Sequence, residues 1–210
     1  MNQEIIKRIL SSIIIIAMAF FFITKGSFFF IFFLSICFFI TSFEWYKMTK
    51  NKNYFLLGLV FLILSFLSAF LLRNIFLKDF ILVILICIST DIGGFVFGKI
   101  FKGPKLTKIS PNKTYSGMIG SFFLSIISAL YYTSYYGLIY WTDNVLLITV
   151  ILISSVSQIG DLTVSYFKRI SKIKNTGKII PGHGGLLDRI DGMIFAIPFA
   201  FIFLKVIKFI

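Results

Sequence analysis

Charged residues are scarce in this 210-residue sequence, and acidic residues are the scarcest of them. Asp, Glu, Lys and Arg together make up 14% of the chain, whereas about a quarter of a typical soluble domain is charged. So few charges cannot coat a soluble globule, and the composition also argues against disordered, collagen-like and coiled-coil chains. The two cysteines, Cys37 and Cys87, both lie inside apolar runs, so we interpret them as small core residues rather than as a disulfide or a metal pair.

Apolar residues are what the chain has in excess: they form 58% of it and give a mean hydropathy of +0.97. A helix that crosses a bilayer needs ~20 apolar residues, with a range of about 17–25. Seven apolar runs approach or reach this length, namely 9–24, 28–43, 55–72, 80–98, 117–140, 144–167 and 191–208. The sequence therefore predicts an all-α fold, a polytopic transmembrane helical bundle with about seven spans.

The chain shows no internal repeat and no stretch polar enough to form a soluble domain. Its longest polar stretches are 99–116 and 168–190. We therefore divide it into N-terminal transmembrane helices, 1–80, and a second transmembrane region, 81–210, that carries both polar stretches as loops. These two loops are expected to lie on one side of the membrane.

Basic residues outnumber acidic ones by 21 to 8, which gives a net charge of +13. In a soluble protein this excess would indicate nucleic acid binding, but in a membrane protein it indicates orientation, because basic residues collect in cytoplasmic loops. With seven spans and a cytoplasmic N-terminus, 16 of the 21 basic residues fall on the cytoplasmic side. The sequence thus predicts a cytoplasmic N-terminus, no nucleic acid, and partners such as anionic lipids or polyphosphates.

The eight carboxylates divide into two groups. Glu4, Asp79 and Asp143 fall in the N-terminal tail or in outer loops, where solvated charges are ordinary. The other five lie inside spans or at their cytoplasmic ends: Glu44, Asp91, Asp161, Asp188 and Asp191. An ionisable residue inside a span is costly and indicates a functional site, the alternative being a structural ion pair between helices. For Glu44 the two interpretations carry equal weight.

Helical spacing places polar residues of the sixth span on one continuous face. The members of this face are Ser154, Ser157, Asp161, Ser165 and Lys168. Such a face is expected to line a protein interior or a wet cavity, because lipid cannot satisfy it. On the fourth span, Asp91 shares a face with two glycines, Gly94 and Gly98, which allow close approach of either a ligand or another helix.

Asp188 and Asp191 are three residues apart at the start of the last span, so they project together. Mg²⁺ prefers carboxylate oxygens, waters and substrate phosphates, so this pair beside a further carboxylate is a candidate magnesium site. Without a cation such like charges would repel each other.

The loop before Asp188 combines cations with glycines. Lys168, Arg169, Lys174 and Arg189 can bind a polyphosphate, and the backbone N–H groups around Gly182, Gly184 and Gly185 can cradle phosphate oxygens. These are the parts of a phosphoryl- or nucleotidyl-transfer site, in which catalysis is mostly positioning and charge neutralisation. The single histidine, His183, is either a phosphate donor, a proton carrier or a structural turn contact.

The other loop has similar chemistry in a weaker form. Ser110, Lys113 and Thr114 flank a proline-fixed turn that suits phosphate or base contacts. Taken alone, a basic loop of this kind is expected in any membrane protein.

The pattern from Ser165 to Asp191 resembles the C-terminal signature of the phosphatidate cytidylyltransferases, also called CDP-diacylglycerol synthases. The matching residues are Ser165, Lys168-Arg169, Lys174, Gly177, Pro181-Gly182-His183-Gly184-Gly185, Asp188-Arg189 and Asp191. A second matching segment comprises Asp91, Gly93, Gly98-Lys99, Ser110-Pro111, Lys113-Thr114 and Gly117. The resemblance covers residues 89–199 well, whereas the first 80 residues match only in hydrophobic character.

The resemblance implies an enzyme that makes CDP-diacylglycerol and pyrophosphate from CTP and phosphatidic acid. It implies Mg²⁺ at Asp161 and Asp188, with Asp191 and Asp91 nearby, and catalytic roles for Asp161, Asp188, Lys168, Arg169 and Arg189. Substrate contacts are expected from Ser110, Lys113, Thr114, Ser165, Lys174, Gly182, His183, Gly184 and Gly185. It also implies an integral protein of a bacterial inner membrane, an active site that faces the cytoplasm, and a homodimer as a further expectation.

The sequence departs from the family pattern at Asn175, Ser116 and Ser121, where the family usually has Asp, Glu and Gly. Two loop carboxylates are therefore missing. A CTP-dependent polyprenol kinase is the nearest alternative enzyme. A cation or proton transporter is the alternative of another class, although it would spread its carboxylates over the full depth of the membrane.

Overall fold

The structure is a computed structural model that describes residues 14, 16–107, 109–137, 142–177, 179 and 184–209. Helices form nearly all of it, and Lys105 and Thr114 form an isolated antiparallel bridge. The helices are α1 (Ile16–Lys25), α2 (Ser27–Thr49), α3 (Phe55–Ile75), α4 (Leu77–Phe101), α5 (Tyr115–Tyr135), α6 (Asp143–Ile170), α7 (Leu187–Ile190) and α8 (Met193–Phe209). The predicted all-α fold is confirmed.

Five helices, α2 to α6, are long and apolar enough to cross a membrane. The helices α1 and α8 are apolar but shorter in the described part of the chain, so the number of about seven spans stays a prediction. Large apolar side chains point away from the bundle: Phe28 is 73% exposed and Leu57 is 75% exposed. An outer surface of this kind suits lipid and not water, so the chain is an integral membrane protein.

The helices pack around one core, to which all of the long helices contribute. Leu72, Ile86, Val150 and Ala200 are fully buried there, one each from α3, α4, α6 and α8. Both cysteines are free, and Cys87 is buried in the same core. The interpretation of Cys37 and Cys87 as unpaired apolar residues is therefore confirmed.

The closest helix pair is α4 and α5, which approach through glycines. A Cβ atom added at Gly93 would lie 2.4 Å from the carbonyl oxygen of Gly120, and one at Gly117 would lie 2.7 Å from that of Gly94. The Ser121 hydroxyl adds a hydrogen bond of 2.7 Å to the Thr90 carbonyl. On the Asp91 face itself, a Cβ atom at Gly94 would lie 2.9 Å from the Ser121 hydroxyl oxygen and one at Gly98 would lie 3.1 Å from that of Thr114, so both glycines allow α5 to approach closely.

The C-terminal end of α2 is fixed against the C-terminal end of α6. Trp45 packs edge-on against Phe167, with 5.3 Å between ring centroids, and its indole N–H donates to the Phe55 carbonyl. The Ser171 hydroxyl donates to the carbonyl of Met48 at 2.9 Å. These contacts bring the ends of α2 and α6 and the loops that follow them to one end of the bundle.

Candidate active site

The polar face of α6 lies inside the protein, as its spacing predicts. Ser154, Ser157, Ser165 and Lys168 are all buried, and Thr90 of α4 donates a hydrogen bond of 2.8 Å to the Ser154 hydroxyl. Nearer the end of the helix, the Ser165 hydroxyl donates to Asp161 at 3.3 Å. The face thus leads from a buried hydroxyl pair to a group of charged residues at the end of the bundle.

Lys168 connects the last turns of α6 to the two carboxylates around α7. Its ammonium lies 2.9 Å from Asp188 Oδ1 and 3.8 Å from Asp191 Oδ2. The residue is only 8% exposed, so its charge must be balanced by these carboxylates. The sequence grouped these three residues, and the structure brings them together.

Asp188 is held by backbone as well as by charge. Its Oδ2 atom accepts N–H groups from Thr176 at 2.8 Å and from Gly185 at 3.0 Å. Burial by itself raises the pKa of Asp188, but the hydrogen bonds from Lys168, Gly185 and Thr176 outweigh it, and the pKa lies below its ordinary value. Asp188 is therefore ionised at neutral pH.

Glu44 of α2 reaches the same loop from the opposite side. Its carboxylate accepts the Thr176 hydroxyl at 2.9 Å, the Leu187 N–H at 2.8 Å and the Leu186 N–H at 3.0 Å. The residue is 1% exposed. The sequence left two interpretations of Glu44 open, a functional role and an ion pair between helices. Among the described residues its donors are neutral, so Glu44 does not form an ion pair there.

A second group of carboxylates differs in exposure: Asp91 is exposed, Asp161 is partly exposed and Asp191 is buried. Asp161 pairs with Lys113 of the α4–α5 loop at 2.6 Å, and their side chains are 29% and 24% exposed. Asp91 and Asp191 are close enough to Asp161 for their negative charges to interact with it, and Asp191 also accepts the N–H of Gly192 at 3.0 Å. The like charges predicted for this site thus converge from α4, α6 and the C-terminal end of α7.

The donor set suits a hard cation, although the structure does not itself assemble a metal site. Among the described residues, no three Asp, Glu, His or Cys side chains lie close enough to hold an ion together. The ammonium groups of Lys113 and Lys168 lie between the carboxylates where positive charge is needed. Mg²⁺ prefers carboxylate oxygens as ligands, so a group of carboxylates that needs a positive counter-charge suits this ion.

The α4–α5 loop places Lys113 through a compact turn. The Lys113 N–H donates to the Ser110 carbonyl at 3.0 Å, and the Thr114 hydroxyl caps α5 by accepting the N–H of Gly117 at 3.1 Å. Ser116 bonds to Thr114 and to the Lys102 carbonyl. Where the family usually has Glu, Ser116 thus closes the turn, and Ser110 and Thr114 shape the loop that presents Lys113.

Several predicted residues lie apart from the carboxylates or outside the described residues. Arg169 is exposed and donates to the Ile173 carbonyl at 3.3 Å, and Lys174 is also exposed. Arg189 is exposed as well, but its charge reaches Asp91. Gly182 and His183 fall outside the described residues.

The glycines next to Asp188 and one threonine have roles that geometry reveals. Gly184 has a positive φ of 92°, and a Cβ atom there would lie 2.9 Å from Asp188 Oδ2. Thr176, which the sequence did not single out, bridges two carboxylates through its N–H and its hydroxyl. Its only sequence signal is its position before Gly177 in a loop rich in glycine.

Comparison with known proteins places the chain in one family. The model of the "Cytidylyltransferase family" matches residues 54–207. A protein of Rickettsia bellii named phosphatidate cytidylyltransferase is 36% identical over 167 residues, which cover 75% of this chain and 72% of the relative. A Rickettsia typhi protein of the same name is 34% identical over 222 aligned positions, covering 95% and 92% of the two chains.

A Staphylococcus aureus protein that also carries this name is 34% identical over 177 residues, covering 79% of this chain and 65% of the relative. The matched region contains Asp91, Lys113, Asp161, Lys168 and Asp188, all of which the structure places at one end of the bundle. Glu44 lies before the matched residues of the family model. On the combined sequence, fold and site, this chain belongs to the cytidylyltransferase family.

Proposed function

We propose that this chain transfers the cytidylyl group of CTP to phosphatidic acid, forming CDP-diacylglycerol and releasing pyrophosphate. The observation that carries the proposal is the convergence of Asp91, Asp161 and Asp191 with Lys113 and Lys168 at one end of an apolar helix bundle. A lipid phosphate and a soluble nucleotide can meet only where bilayer and water adjoin. The family and the names of the relatives support the same reaction.

In this reaction an oxygen of the lipid phosphate forms a bond to the α-phosphorus of CTP, and the bond from that phosphorus to the oxygen of the departing pyrophosphate breaks. The attacking oxygen is already anionic, so the site needs no strong general base. Lys113, Lys168 and Arg189 bind and orient the phosphate groups of two negatively charged substrates. The carboxylates keep these cations in place between turnovers.

Mg²⁺ is the cofactor in this proposal, held by Asp161, Asp188 and Asp191 with Asp91 nearby. When bound, it neutralises the charge of the two substrates and of the departing pyrophosphate. The chain's own contribution is to gather these carboxylates from α4, α6 and α7. It also supplies lysines whose ammonium groups balance the carboxylates when the ion is absent. Ser165, which donates to Asp161, orients that carboxylate.

The topology completes the proposal. Seven spans with a cytoplasmic N-terminus put 16 of the 21 basic residues on the side that carries the site. The site then faces the cytoplasm from the bacterial inner membrane, where CTP is available. We include a homodimer in the proposal, and the mass of the purified protein in lipid nanodiscs tests it.

The test uses CTP that carries a phosphorus label at one of two positions and measures where the label goes. Purified protein is incubated with phosphatidic acid and Mg²⁺ and with CTP labelled at the α- or the γ-phosphorus. Cytidylyl transfer puts only the α-label into lipid and releases the γ-label as pyrophosphate. A γ-label in a polyprenol would instead establish a kinase, and cation flux into proteoliposomes without any labelled lipid would establish a transporter.

A further inference from the structure

Glu44 differs from the other carboxylates at this end of the bundle in both position and partners. It belongs to α2, outside the residues 54–207 that define the family match. It is 1% exposed, and no ion pair to it occurs among the residues that the structure describes. A buried carboxylate is costly unless it is well solvated by hydrogen bonds, so its surroundings should account for its presence.

Three donors account for it. The Thr176 hydroxyl and the Leu187 N–H both reach Glu44 Oε2, at 2.9 and 2.8 Å, and the Leu186 N–H reaches Oε1 at 3.0 Å. All three groups are able to donate, and the two backbone groups can do nothing else. A glutamine would turn its NH₂ toward one of these donors, so the site specifies a carboxylate rather than a polar side chain in general.

Two glycines let the loop close onto this carboxylate. A Cβ atom at Gly177 would lie 2.6 Å from Glu44 Oε1, and one at Gly185 would lie 2.5 Å from Oε2. Real Cβ atoms do not approach oxygen this closely, so a side chain at either position would force the Glu44 carboxylate or the loop to move. Loop and carboxylate are therefore complementary in shape as well as in hydrogen bonding.

The loop residues that contact Glu44 also hold Asp188. Thr176 donates its hydroxyl to Glu44 and its N–H to Asp188, and Gly185, packed against Glu44, donates its N–H to Asp188. Asp188 in turn binds Lys168, which lies 3.8 Å from Asp191. A displacement of the loop at Glu44 would thus move the donors that set the position of Asp188.

We propose that Glu44 is a positioning residue of the active site: it fixes the 174–177 and 184–187 parts of the loop so that Asp188 and Lys168 are held in their working arrangement. Because α2 is fixed to α6 through Trp45, Met48 and Ser171, Glu44 is a rigid point from which the loop is set. This inference rests on the proposed function only for its effect on turnover.

The first measurement needs no substrate. In Glu44→Gln, amide hydrogen exchange of the peptide that covers residues 174–188 becomes about 10- to 100-fold faster, as expected when part of a hydrogen-bonded anchor is removed, whereas exchange in α3, α4 and α5 is unchanged. Thr41→Val is the matched control. Thr41 is buried on the same helix, but its hydroxyl bonds only to carbonyls of α2, so its loss leaves the loop as it is.

The second measurement is turnover. Glu44→Gln lowers kcat by about 10- to 100-fold, the usual cost of losing a group that orients a functional residue, with less than a threefold change in KM for CTP. Thr176→Val, which removes one donor and keeps the N–H to Asp188, gives a smaller loss in the same direction. Glu44→Asp, shorter by one methylene, recovers part of the activity that Glu44→Gln loses.

Either of two results overturns the proposal. One is wild-type exchange of residues 174–188 together with wild-type kcat in both Glu44→Gln and Thr176→Val. The other is faster exchange spread over all helices in both variants, which makes Glu44 a general stabilising residue. If exchange changes as expected but no protein forms CDP-diacylglycerol, the positioning role stands and the proposed function fails.

Discussion

Two sets of carboxylates meet at one end of this bundle, and they are held in different ways. The anchored pair, Glu44 and Asp188, accepts five hydrogen bonds from the loop and one from Lys168. The open group, named for the exposure of Asp91 and Asp161 and completed by the buried Asp191, consists of like charges that interact with one another and with ammonium groups.

The difference indicates a division of labour. A carboxylate whose lone pairs are filled by backbone N–H groups is fixed in direction and contributes to the fold of the loop. A carboxylate that faces a partly exposed lysine, as Asp161 faces Lys113, can exchange that lysine for a metal ion or a substrate cation at small cost. Charge removal should therefore affect both stability and chemistry in the first set, and mainly chemistry in the second.

The largest effect on activity is expected in the open group. Asp161→Asn removes the α6 carboxylate whose charge interacts with those of Asp91 and Asp191. We expect cytidylyl transfer to fall about 10³-fold, the upper range for loss of a group that stabilises developing charge. Its thermal midpoint should stay near that of the wild type, because the lost pair with Lys113 is partly exposed and repulsion from Asp91 is relieved.

The control for this variant is Thr163→Val, two residues along the same helix. The Thr163 hydroxyl bonds only to the Ile159 carbonyl of its own helix, so activity should be retained. A thermal midpoint that drops as far in Asp161→Asn as in a variant of the anchored pair would contradict the division.

Asp188→Asn should lower activity and stability together. The amide would turn its NH₂ toward the N–H groups of Thr176 and Gly185 or toward Lys168, all of which are donors. Breaking such a buried pair from one side costs about 3 kcal/mol, so denaturant unfolding should show a loss of that order. The Lys168→Met variant is the partner test, and if the two variants together cost no more than one alone, the pair acts as a unit.

The pH dependence of stability should identify the same group. Because the folded pKa of Asp188 lies below its unfolded value of about 3.9, its stabilisation is present above that pH and is lost as the pH falls through the folded pKa. The difference in unfolding free energy between wild type and Asp188→Asn should thus be constant from about pH 7 to 5 and shrink below about pH 4. A difference that shrinks between pH 7 and 5 would show that the hydrogen bonds do not favour the ionised form.

The helices were predictable from the sequence because apolar length alone defines them in a chain of this composition. The predicted apolar run 55–72 corresponds to the observed helix α3, Phe55–Ile75, and the run 144–167 corresponds to α6, Asp143–Ile170. The observed helix ends differ by a few residues from the predicted ones. The helix α5 begins after Thr114, whose hydroxyl accepts the N–H of Gly117 as an N-cap, and it ends at Tyr135 instead of the predicted residue 140.

The site was predictable where helical spacing fixes direction, and not where a loop does. The face that includes Ser154 and Lys168 follows from the helical period. The pairing of Glu44 with Thr176 joins residues 132 positions apart through a loop without regular structure, and no periodicity indicates it. Composition could mark Glu44 as unusual, but only its three donors give it a role.

The smallest expected effect concerns the ion pair between Lys113 and Asp161 in the open group. Lys113 lies 2.6 Å from Asp161, but both side chains are about a quarter exposed, so the pair contributes ~1 kcal/mol or less. In Lys113→Gln the carboxylate no longer has to release an ammonium before it binds Mg²⁺, so the Mg²⁺ concentration for half-maximal activity should fall by up to about fivefold. Lys105→Gln, an exposed lysine of the same loop, is the control and should leave this concentration unchanged. A rise in the Mg²⁺ requirement of Lys113→Gln would mean that Lys113 helps to hold the site together, and Asp161 would then belong with the anchored carboxylates.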